Sequence, residues 1–222
     1  KADNGFKGRN ILVIGADSPI GEVVSRELND SNAMVILTGT DKKHIENISK
    51  DMFYPSQSFI YSDLDESSIE NMLEYCLINN LKLDGIVLAR LYEEKVIDRL
   101  LKLLYKNQYV NTELSIVILS QLENMKDIDY SVYKEKKDAL ERYICKIKNE
   151  LSETNIRINI ISHKIDENNV KQKYGDGREW FDEFIESELP EDMKKPAYLV
   201  ETLKFLLSQK GKYVNCAFMP MK

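Results

Sequence analysis

The feature that most constrains this chain is a regular exchange of short apolar runs with amphipathic stretches. NILVI (10–14), MVILT (34–38), SFIYSDL (58–64), LDGIVLARL (83–91), LSIVILS (114–120) and IRINIIS (156–162) are compact and rich in β-branched residues, as strands are. Between them lie stretches with helical spacing: VVSREL, 41–50, 66–79, 93–106 and a long one over 130–151. In 93–106 the apolar positions are Val96, Leu100, Leu103 and Leu104, one side of a helix. Strands alternating with helices predict βαβ units and a parallel sheet. Strands apolar along their whole length need cover on both faces. The expectation is an α/β fold, a doubly wound parallel sheet with helices on both faces. A last helix over 197–209 and a strand over 213–219 close it. The stretch 164–195 is polar, aromatic and irregular, with Trp180, Phe181 and Phe184 as candidate walls of a substrate pocket or members of a small core patch.

The 222 residues suffice for one large domain with a sizeable core. A net charge of −6 with lysines spread among acids offers no basic face for nucleic acid. The three cysteines are far apart and the two histidines isolated, so no metal site and no disulfide framework is expected. No apolar run approaches the ~18 residues of a membrane span, and the first residues carry no apolar signal stretch. A cytoplasmic protein with no membrane partner is the expectation.

Ligands of doubly wound sheets bind outside the carboxyl ends of the strands. The first strand–helix turn there is Gly15-Ala16-Asp17-Ser18-Pro19-Ile20-Gly21. Glycine lets backbone approach a phosphate, and a helix N-terminus offers free N–H groups. Pro19 removes one such donor, although its fixed φ suits a first helical turn. The same residues also make a plain βα turn. After the second strand comes Thr38-Gly39-Thr40-Asp41. Dinucleotide sites place an acid there for a ribose or a basic group for a 2′-phosphate. Thr40 with nearby Lys42 and Lys43 tilts the expectation to NADP over NAD, and two solvated lysines are the plain alternative.

Ser120 ends an apolar run, and two Tyr-x-x-x-Lys pairs follow, Tyr130/Lys134 and Tyr133/Lys137. Residues i and i+4 share one helix face. A lysine beside a phenol favours the phenolate, and a serine hydroxyl can hold a carbonyl oxygen. The apolar stripe of this helix is Leu140, Ile144, Ile147 and Leu151. Tyr133 falls about 10° from its centre, Lys137 about 50° and Lys134 about 110°. Core packing with a snorkelling amine explains such a pair equally simply.

These residues together resemble the short-chain dehydrogenase/reductase family. IGADSPIG is similar to its TGxxxGIG, and Asp63-Leu64 to its adenine-contacting Asp-Val. IRINIIS resembles the strand after the active-site helix, and the stretch from Lys195 to Phe218 its closing helix and strand. Tyr130-Ser131-Val132 resembles the family's Tyr-Ser-Ala. Spacing points to the other pair. The family's lysine precedes the Asn of this strand by twenty-two residues, which leads from Asn159 to Lys137. Its serine commonly precedes the tyrosine by thirteen, which leads from Tyr133 to Ser120.

The resemblance implies one Rossmann-type domain over 1–222. The nucleotide part covers about 8–120, the catalytic helix and substrate segment about 120–195, and the closing elements 196–222. It implies Ser120, Tyr133 and Lys137 as the catalytic set. It implies Gly15, Asp17, Ser18, Ile20, Gly21, Thr40, Asp63, Leu64 and Lys137 as contacts to NADP or NAD. A small-molecule substrate and a homodimer or homotetramer follow from it. The lead-in Phe6-Lys7-Gly8-Arg9 and the Ser-Pro-Ile-Gly turn are similar to members associated with surface-sugar synthesis, which points to a sugar or sugar-nucleotide.

The chain departs from the family on the cofactor side. Leu88-Ala89-Arg90-Leu91 stands for Asn-Asn-Ala-Gly, and the family's catalytic asparagine would align near Tyr92. One helix is missing before Ser120, and His163-Lys164 stands for Pro-Gly. These losses support a second reading: a degenerate relative with weak or no catalysis, acting as a binding or partner subunit.

Overall fold

The structure, a computed structural model, describes residues 4–106, 108–120, 130–163 and 197–221. Lys164, Trp180, Phe181 and Phe184 lie outside the described residues. The elements are β1 (Asn10–Ile14), α1 (Pro19–Asp30), β2 (Met34–Gly39), α2 (Lys42–Lys50), β3 (Ser56–Ile60), α3 (Glu66–Ile78) and β4 (Leu83–Leu88). They continue with α4 (Glu94–Leu104), β5 (Val110–Ser120), α5 (Tyr130–Ser152), β6 (Ile156–His163), α6 (Ala197–Leu207) and β7 (Phe218–Met221). All seven strands form one parallel sheet in the order β3-β2-β1-β4-β5-β6-β7. The order reverses between β1 and β4, which opens a crevice at their carboxyl ends.

Strand periodicity divides the core in two. Leu12, Ile14, Ile36, Ile86, Leu88, Ile116 and Ile118 point to the face covered by α3, α4 and α5. Ile11, Val13, Val35, Leu37, Val87, Val117 and Leu119 point to the face covered by α1, α2 and α6. With both faces buried, every position of a central strand must be apolar, which is why the sequence shows runs and not alternation.

Helix starts are set by short polar side chains. Ser18, Asp41 and Asp65 are the N-caps of α1, α2 and α3, each accepting from the N–H three residues on. Several strand limits differ from the sequence expectation, β5 among them, which begins at Val110 and not 114; three of them have a local cause. β3 stops at Ile60 and not 64, because Asp65 is already committed to capping α3, leaving Asp63 and Leu64 in the loop. β4 stops at Leu88 and not 91: the Ala89 N–H makes the last bond to β1, onto the Ile14 carbonyl, and the chain then leaves the sheet. β7 begins at Phe218 and not 213. Cys216 has φ +54°, which interrupts extension, and the Asn159 amide holds both the Val214 carbonyl and the Ala217 N–H.

Candidate active site

The turn after β1 is shaped by glycine. Gly15 has φ +83°, a left-handed conformation open to glycine without strain. The N–H groups of Gly15 and Ala16 both donate to the Thr38 carbonyl. A Cβ on Gly21 would lie 2.1 Å from the Gly15 carbonyl oxygen, so α1 rises hard against the turn. Ser18 is buried; its hydroxyl donates to Gly15 O (2.8 Å) and accepts from Gly21 N–H (3.1 Å). Since Pro19 has no N–H, two donors of the first helical turn are unavailable to an anion. Ile20 is fully packed in the core beneath.

Asp17 does not face open solvent. Its side chain is 3% exposed and accepts from Thr40 N–H (2.8 Å), Asp41 N–H (3.0 Å), Thr40 Oγ1 (3.1 Å) and the Arg90 guanidinium (3.2 Å). Gly39 is glycine because its Cβ would fall 2.5 Å from the Asp17 carboxyl carbon. Burial pushes this carboxyl up, but the Asp41 and Thr40 amides, Arg90 and the Thr40 hydroxyl outweigh it and hold the group below its usual range. A depressed native pKa stabilises the fold above the unfolded value, about 3.9, and that contribution is lost as pH falls through the native value. Asp17→Asn should therefore flatten the acid limb of stability below about pH 4, measured by urea unfolding across pH. An unchanged acid limb would show that Asp17 is not its source.

Thr40, expected at a cofactor ribose, thus spends both its N–H and its hydroxyl on Asp17. Lys42 pairs with Glu46 at 3.8 Å, with both side chains largely exposed. Asp63 and Leu64 border an open cavity of about 380 Å³ together with Leu91, Tyr92, Val96 and Lys136.

Three residues not chosen from the sequence as cofactor contacts meet the turn. Arg90, from the loop after β4, reaches across the switch point to Asp17. The Tyr92 hydroxyl and the Arg90 stem would lie 3.0 and 3.4 Å from a Cβ on Gly15, so they rest against its bare face. Tyr61 lies close to Tyr92, and burial raises both phenols. The replacement of Asn-Asn-Ala-Gly by Leu88-Ala89-Arg90-Leu91 was the signal for Arg90. Nothing in the residues pairs Tyr61 with Tyr92 before the strand order β3-β2-β1-β4 is in place.

At the carboxyl end of β5, fully buried Ser120 and Tyr133 share a hydrogen bond of 2.9 Å between their hydroxyls. The Tyr133 hydroxyl also approaches the Ser120 carbonyl at 3.4 Å. Tyr133 lies on the buried face of α5 with Leu140, Ile144, Ile147 and Leu151, while Lys134 is exposed. Of Tyr130 only the backbone, at the start of α5, is among the described features.

Lys137 is half-buried one turn on, and its ammonium lies 3.6 Å from Glu141. The expected lowering of the tyrosine pKa is not what the geometry gives. Burial raises Tyr133; the Ser120 hydrogen bond opposes this, and Glu141 and Asp138 add to it. Burial is the chief cause, and the acids flanking Lys137 on the helix add to it, so Tyr133 is a neutral phenol at neutral pH.

No family profile and no curated protein matches the chain. Solved structures do. A hydroxysteroid dehydrogenase from Escherichia coli superposes with a TM-score of 0.76 at 14% identity, over 100% of this chain and 98% of that one. L-Sorbose reductase from Gluconobacter frateurii, solved with NADPH and L-sorbose, gives 0.75 at 14%, over 99% and 97%. A short-chain dehydrogenase/reductase of glucose/ribitol dehydrogenase type from Brucella melitensis gives 0.75 at 17%, over 98% and 96%. The chain has the fold of the short-chain dehydrogenases/reductases. At these identities the likeness speaks for the fold alone.

Proposed function

We propose that this chain is a carbonyl/alcohol oxidoreductase of the short-chain type, with NADP or NAD as its hydride carrier and a sugar or sugar-nucleotide as the substrate class. The observation that carries the reading is the buried Ser120–Tyr133 hydrogen bond at the mouth of the sheet. A phenol held neutral can donate its proton to a carbonyl oxygen as that oxygen gains charge, and the adjacent serine hydroxyl can hold the same oxygen. Positioned acid–base groups of this kind contribute about 10²- to 10⁴-fold. The nicotinamide would supply or take the hydride at the substrate carbon. Lys137, once drawn from Glu141 toward Tyr133, would stabilise the phenolate and pass it a proton that the amine regains from solvent.

The turn fits a dinucleotide diphosphate in part: Gly15 carries no side chain, while Ser18 and Pro19 leave the first turn of α1 two donors short. Residues Asp63 and Leu64, beside the 380 Å³ cavity, would meet the base. The side chains over Gly15 do not fit it as they stand, and this favours the second reading, a degenerate binding or partner subunit. The two separate in one experiment. The purified chain is incubated with NADH or NADPH and a panel of aldehydes, ketones and ketosugars. Carbonyl-dependent cofactor oxidation is expected. Cofactor binding without turnover across the panel would favour the degenerate reading, and neither binding nor turnover would sink the oxidoreductase reading.

A further inference from the structure

The bare face of Gly15 is where a diphosphate would approach this turn, yet the chain's own side chains stand there. Tyr92 brings its hydroxyl to that face, 3.0 Å from where a Cβ on Gly15 would stand, with Tyr61 close by. Arg90 lays its stem along the same face and fixes its guanidinium 3.2 Å from Asp17. Asp17 is in turn held by three donors from the end of β2. The loop after β4, the turn after β1 and the end of β2 are thereby laced together across the switch point.

Each strand end contributes a contact that a bound dinucleotide would have to replace. The acid in the turn also sets a negative charge beside the path of a diphosphate, and Arg90 neutralises it. The covering atoms are the ends of flexible side chains and not backbone. Arg90 is 42% exposed, so solvent reaches the layer from outside. Tyr61 is more deeply set, at 9% exposure.

We infer that Arg90 and Tyr92 form a plug over the diphosphate crevice, so that the resting chain holds NAD(H) or NADP(H) weakly and the plug must swing out for a dinucleotide to seat. The inference rests on the oxidoreductase reading for the identity of the ligand. It adds that affinity is limited by a contact within the protein as well as by the two donors that the turn lacks. In population terms, affinity falls by the fraction of chains with the crevice open.

Isothermal titration of NADH and NADPH into the full chain and into Tyr92→Ala tests this. The variant is expected to bind at least one of them about tenfold more tightly or better, which corresponds to about 1.4 kcal/mol. Tyr92→Phe, which removes the hydroxyl over Gly15 and keeps the ring, should shift affinity in the same direction and serves if Tyr92→Ala does not fold. Equal and measurable binding by the unmodified chain and both variants would overturn the plug and leave the oxidoreductase reading standing. No binding by any of them, with folding verified by thermal unfolding, would overturn both.

Discussion

Tyr133→Phe is expected to lower kcat/KM for a carbonyl substrate by about 10²- to 10⁴-fold, the range of a lost positioned acid. The ring stays in the buried face of α5, so the fold should survive. The stability cost is that of one buried hydrogen bond, about 1 kcal/mol, since Ser120 loses its 2.9 Å partner. Tyr130→Phe should leave turnover unchanged. The reverse outcome would move the proton-transfer role to Tyr130 and overturn the assignment built on Ser120. The pH profile gives a second check. Because burial raises Tyr133 above its usual value, reduction should be flat across neutrality and decline only when the phenol ionises at alkaline pH. A decline setting in near neutrality would mean that Lys137 has lowered the phenol in the working enzyme.

Gly21→Ala should be the most damaging single methyl group in the chain's N-terminal half. Its Cβ would meet the Gly15 carbonyl at 2.1 Å, Ser18 Oγ at 2.8 Å and the Ala16 Cα at 2.9 Å. Two of these are backbone and cannot rotate away. Relief requires moving α1 off β1, and the cost should be about 3 kcal/mol or more. Urea unfolding measures it. Gly8→Ala is the contrast: no atom stands within 4 Å of its Cβ, and the penalty there comes from φ +78° alone, about 1 kcal/mol. Equal losses at the two sites would show that close approach at Gly21 is not what matters.

The fold was legible because a doubly covered parallel sheet leaves a loud mark. The centres of β1, β2, β4 and β5 are apolar at every step, which is why their runs stand out in the sequence. Limits were lost where polar side chains take over the backbone: Asp65 ended the loop after β3, and Asn159 with Cys216 delayed β7. In the site, the pairing of Ser120 with Tyr133 follows from a helical stripe and a strand end, both one-dimensional signals. The Asp17–Arg90 and Tyr61–Tyr92 contacts join residues from different strand ends, and no local pattern announces them. The charge environment of Lys137 was a matter of i+4 bookkeeping: Glu141 stands one turn on and takes the ammonium that the phenol was expected to feel.

The two borders of the sheet bear on solubility. At one side β3 exposes a strand of five residues, SQSFI, polar at three positions. At the other, β7 has four, and the third is Pro220, opposite Ser162, with no N–H to give. A strand from another molecule seeking to extend this sheet would find a short polar ledge on one flank and a broken donor row on the other. Intermolecular β-pairing, the usual route from a large apolar sheet to fibrous aggregate, is thus discouraged at both ends of a structure whose interior strands are among the most aggregation-prone segments in the chain.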